Sequence, residues 1–122
     1  MRGDRFEALV DEALRFLPEK YKKLMDNVVV MVEDFPSEET LEKLAGKGGL
    51  LLGLYHGVSY KNRGPYYGNI PPDVIVIYQK PIEMICRSDK EIRKRVREVV
   101  IHEVGHHMGL SDAEMRDIEE RK

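Results

Sequence analysis

SDKEIRKRVREVVIHEVGHHMGLSD, residues 88–112, decides how the rest of the chain is read. Ser88 with Glu91 three residues later is the start signal of a helix, a hydroxyl for the free amides of the first turn and a carboxylate that reaches back. Ile92, Val96, Val99, Val100 and Val104 then recur every three or four residues, which predicts one long helix with an apolar side. Gly109 supplies a left-handed stop. Near that end His102 and His106 stand four apart and therefore project from one face, a turn from each other. Such a pair is a bite for a single metal ion, and zinc accepts imidazole nitrogen at about 2.0–2.1 Å. Glu103 is about 100° round the helix from His102, beside the metal without ligating it, where a carboxylate can take a proton from metal-held water.

Two imidazoles leave a catalytic zinc one protein ligand short. Asp112 is the candidate, because the turn at Gly109 reverses the chain and returns a side chain three residues on towards the metal. The competing role for Asp112 is the N-cap of a following helix. Ser111 with Glu114 repeats the capping pattern, so a last helix is expected from about Asp112 onward. His107, one residue from His106, is turned away from the metal face. A bare HExxH arises by chance in on the order of one in several hundred chains of this length at average residue usage, and the added Gly and Asp make accident far less frequent.

Upstream, Phe6, Leu9, Val10, Ala13, Leu14 and Leu17 give an amphipathic helix over Asp4–Leu17, kinked or restarted at Pro18. Val28–Val32 is a β-branched strand, Pro36–Ala45 a short helix opened by Ser37, and Gly49–Tyr55 a second strand. Residues 56–72, rich in Gly, Pro, Asn and Tyr, have no periodicity and read as a long loop of the kind that often carries function. Within it His56, Tyr60, Tyr66 and Tyr67 are candidate walls of a substrate cleft. Asp73–Gln79 is a third strand, and Lys80-Pro81 turns the chain towards a short strand at Ile82–Cys86. The sum is an α+β fold, a small mixed sheet packed against the helix that bears the histidines, with helices at both ends of the chain.

One hydrophobic core suffices for 122 residues, so 1–122 reads as a single domain. Twenty basic against 22 acidic residues, interspersed, offer no stripe for a nucleic-acid backbone. No window approaches the roughly 18 apolar residues of a membrane span, and the charged N-terminal segment is unlike an export signal. Cys86 is the only cysteine, which rules out an internal disulfide and a cysteine-rich zinc site and suits the reducing cytoplasm.

HEVGHHMGLSD, residues 102–112, resembles the extended HExxHxxGxxD motif of zincin metallopeptidases, the metzincin-like group in which Asp replaces a third His. LLGLYHGVSY (51–60) and PPDVIVIYQKPI (71–82), taken with the motif, are similar to the minimal zincins, a family of short bacterial proteins, and the likeness covers the last two-thirds of the chain. The resemblance implies a zincin-like fold and Zn2+ held at His102, His106 and Asp112. It also implies Glu103 as general base in the hydrolysis of a peptide or protein substrate. Independently of the resemblance, an exposed strand edge near residues 74–78 is the expected place for an extended substrate to add as a further strand. The chain departs from larger metzincins in one respect: it ends ten residues after Asp112, with no room for a methionine-bearing turn beneath the metal. A non-catalytic zinc-binding interaction module is the other function such a site allows.

Overall fold

Phe6, Val10, Ala13 and Leu17 all become buried, which is why the first apolar stripe forms α1, Gly3–Phe16. Burying each of the larger of these side chains contributes about 1.5–3 kcal/mol. The computed structural model describes residues 1–46, 49–56 and 73–120. After α1, Pro18 opens a separate single turn, α2 (Glu19–Lys22), since its ring allows a start but not a continuation. Then come β1 (Val28–Glu33), α3 (Glu38–Leu44), β2 (Gly53–His56), β3 (Asp73–Tyr78), α4 (Gln79–Ile85), α5 (Asp89–Met108) and α6 (Asp112–Glu120).

The sheet has the order β1-β3-β2, with β1 parallel to β3 and β2 antiparallel to it, so it is mixed as expected. Val28 pairs with Asp73 in the first ladder, and Tyr55 with Ile75 and Gly53 with Ile77 in the second. β1 alternates half-buried and exposed residues, as a strand covered on one face does. β3 is flanked on both sides and is buried at five of its six positions. Ile75 and Ile77 meet Phe6, Val96, Val100 and Ile101 in the core between sheet, α1 and α5.

Three expectations change. Residues 74–78 lie in the central strand, so no substrate can add to their edge; among the described residues the outer strand on the site side is β2. The strand expected over Gly49–Tyr55 is shorter at its start and extends to His56, although the Leu52 carbonyl still accepts from the Tyr78 amide at 3.0 Å. Residues 79–85 form a helix, where a turn and a strand at Ile82–Cys86 were expected. Pro81 does not prevent it, because it stands in the first turn, where amides have no helical partner. Pro81 and Ile82 are buried, and the Gln79 side chain donates to the Met1 carbonyl at 2.8 Å, which ties α4 to the start of the chain. Among the described residues no helix is long and apolar enough to cross a membrane.

Candidate metal centre

α5 starts as its sequence requires: Ser88 Oγ accepts from the Glu91 amide at 3.2 Å, and Glu91 reaches back to the Arg87 amide at 2.7 Å. Its C-terminal half is enveloped by the core. Ile101, Glu103, Val104, Gly105, His107 and Met108 are buried, whereas His102 and His106 are exposed. The imidazoles of His102 and His106 lie with ring centroids 4.4 Å apart and planes at 65°. Glu103 Oε1 is 3.3 Å from His106 Nδ1. One ligand atom from each of His102, Glu103 and His106 lies within 4.8 Å of the other two. Two donors on one tetrahedral zinc are roughly 3.4 Å apart by the usual bond lengths, a spacing that small side-chain rotations reach from here. The residues fit zinc.

Glu103 is only 7% exposed, and β2 is what covers it. A Cβ at Gly53 would stand 2.8 Å from Val99 Cγ1 and 3.1 Å from Glu103 Cγ. The strand backbone therefore packs directly on the stem of the glutamate and directs its carboxylate towards the histidines.

Gly109 ends α5 with φ +70°, and the Leu110 amide closes the turn on the Gly105 carbonyl at 2.9 Å. The N-cap of α6 is Ser111: its hydroxyl accepts from the Glu114 amide and its amide donates to Glu114 Oε1, both at 3.1 Å. Capping is thus done by Ser111, and Asp112 follows as the first helical residue, exposed. Asp112 is not one of the three closely grouped donors, but with His102, Met115, Arg116 and Glu119 it lines a cavity of about 400 Å³ between α5 and α6. Met115 is buried against Gly105, where any Cβ would collide with its sulfur. A methionine of α6 thus packs on α5 between the two histidines.

The histidines open on a cleft of about 550 Å³. Leu44, Leu51, Leu54 and Tyr55 give it an apolar side, and Arg95, Glu98 and Glu119 a charged one. Burial, and after it the Glu98 carboxylate, push the Glu119 carboxyl above its ordinary value, while His102 acts the other way. His56 occupies the exposed end of β2, and the cleft lining runs along that strand to Tyr55 without including it. Tyr60, Tyr66 and Tyr67 lie outside the described residues.

Behind the histidine pair is a polar group that the motif does not announce. His107 is fully buried, with Nδ1 2.8 Å from Asp73 Oδ2 and Nε2 3.2 Å from the Leu24 carbonyl oxygen. Asp73, 1% exposed, accepts on the same oxygen from the Tyr55 phenol at 3.0 Å. Sequence reading placed His107 off the metal face but found neither partner. The available signal was a lone aspartate heading an otherwise apolar buried strand, since a buried carboxylate requires a donor.

A helix carrying two exposed histidines and an intervening buried carboxylate, set beside a strand-walled cleft in an α+β domain, defines a zincin-like protein. Residues 25–122 match the family model described as zincin-like metallopeptidase, and the chain belongs to that family. Membership implies zinc as the metal of the His102–Glu103–His106 group. A search of curated proteins finds no match.

Proposed function

We propose that the protein is a zinc-dependent peptidase with Glu103 as general base and His102, His106 and Asp112 as the ligands. The observation that carries this reading is the close grouping of two imidazoles and a carboxylate on the wall of a cleft that β2 borders. When bound, zinc supplies Lewis acidity, polarising the scissile carbonyl and acidifying water. Glu103, held by the packing of Gly53 on its stem, takes the proton of the attacking water and returns it to the leaving amine. His102 and His106 hold their places because their helix packs against α1, α6 and the sheet. Asp112 approaches from α6 across the cavity that it shares with His102. The substrate is an extended peptide or protein segment laid along the outer edge of β2, where that strand borders the cleft.

The test compares wild type with Glu103→Gln and Asp112→Ala for zinc content and for hydrolysis of a peptide library. Glu103→Gln keeps one zinc per chain and loses about 10²–10⁴-fold in turnover, and Asp112→Ala loses zinc. Full turnover by a zinc-loaded Glu103→Gln rejects the mechanism. Zinc retained without Asp112 removes that residue from the ligand set. No hydrolysis by wild type, with a stable peptide or protein complex instead, favours the non-catalytic interaction module.

A further inference from the structure

Tyr55, Asp73 and His107 join three elements at one buried point. The His107 ring ties the last turn of α5 to the first residue of β3 through Asp73, and to the segment ahead of β1 through the Leu24 carbonyl. The Tyr55 phenol brings β2 into the same set, and its ring meets that of His107 edge-on at 5.6 Å between centroids. Inside a protein such bonds are stronger than in water and a lost partner costs more, so the set favours a single arrangement.

Gly53 and Tyr55 are two residues apart in β2 and therefore face α5 together. Tyr55 is held by a hydrogen bond, and Gly53 by the absence of room for a Cβ against Val99 and Glu103. A slip of β2 by one residue would turn Leu54 and His56 towards the helix and Tyr55 away from Asp73. A slip of two, in either direction, would put Tyr55 or Leu51 where only glycine fits. Between them the two contacts allow one register.

We propose that Tyr55 is a positioning residue. Through Asp73 and His107 it sets the register of β2, and with it the height of the strand's outer edge, against the turn of α5 that carries Glu103 and His106. The functional part of this inference rests on the reading of that edge as the substrate-binding one; the register itself does not.

Tyr55→Phe removes one oxygen and keeps the ring, and Asp73→Asn keeps the shape at the other end of the bond. Each is compared with wild type, as the full zinc-loaded chain, by hydrogen exchange of the amides at 53–56. The same proteins are titrated with acetohydroxamic acid, which reaches the metal alone, and with a leucine-containing tripeptidyl hydroxamate, which also runs along the strand. In both variants the β2 amides should exchange faster, zinc content and acetohydroxamate affinity should stay unchanged, and the peptidyl compound should bind about five- to tenfold more weakly, the scale of one buried hydrogen bond. Unchanged exchange together with unchanged affinity for the peptidyl compound overturns the proposal. If wild type itself shows no preference for the peptidyl compound while the variants exchange faster, the peptidase reading fails and the register role stands.

Discussion

The last two turns of α5 present two surfaces made from adjacent residues. On one, His102 and His106 stand exposed at the mouth of a cleft of about 550 Å³, their rings 4.4 Å apart. On the other, His107 is fully buried between Asp73 and the Leu24 carbonyl, with the Tyr55 ring edge-on to it. The side chain is the same on both surfaces. Where imidazole faces an open cleft, its nitrogens are available for a metal and add little to folding. Where it is dry, the same nitrogens must be satisfied internally, and removing the ring leaves a buried carboxylate short of a donor. Neighbouring histidines therefore divide into one open to a ligand and one committed to the fold.

The sharpest way to break this comparison is to delete each ring in turn. His106→Ala should lower zinc affinity by more than about a hundredfold, beyond the loss typical of an outer-sphere partner. It should shift the stability of the metal-free protein by no more than about 0.5 kcal/mol, because that side chain is 48% exposed. His107→Ala should do the reverse, costing about 3–5 kcal/mol in urea unfolding of the metal-free protein while retaining one zinc per chain. Equal losses of stability in the two variants would end the distinction.

Smaller changes sharpen it. Gly53→Ala, which crowds Val99 and Glu103 at 2.8 and 3.1 Å, should cost about 1–3 kcal/mol. It should also lower turnover more than it lowers zinc content, since the strain falls on Glu103 and not on the histidines; a variant with normal turnover would show that β2 does not aim the carboxylate. Gly109→Ala should be mildest, about 1–2 kcal/mol from forcing a side chain to φ +70°. Its effect on zinc reports whether the turn to α6 delivers Asp112, because a change confined to stability would mean that it does not.

Much of the molecule was legible from short-range chemistry. The Ser88 and Ser111 caps, the spacing of Val96, Val100 and Val104, and the stop at Gly109 are local signals, and α5 and α6 follow them closely. α4 was misread because Lys80-Pro81 looks like a turn, whereas a proline in the first turn of a helix gives up no bond, and burial of Ile82 decides the outcome. The edge available to a substrate was misplaced because a run such as Asp73–Tyr78 states that it is a strand but not which neighbours it takes.

The sequence by itself determined the helix that bears His102, Glu103 and His106 on adjacent faces, since periodicity and capping act within a few residues. Only the tertiary structure decided that β2 borders the cleft, that Gly53 presses on Glu103, and that His107 meets an aspartate 34 positions away. Those outcomes depend on strand order and on which buried polar groups find partners, and both are properties of the assembled core.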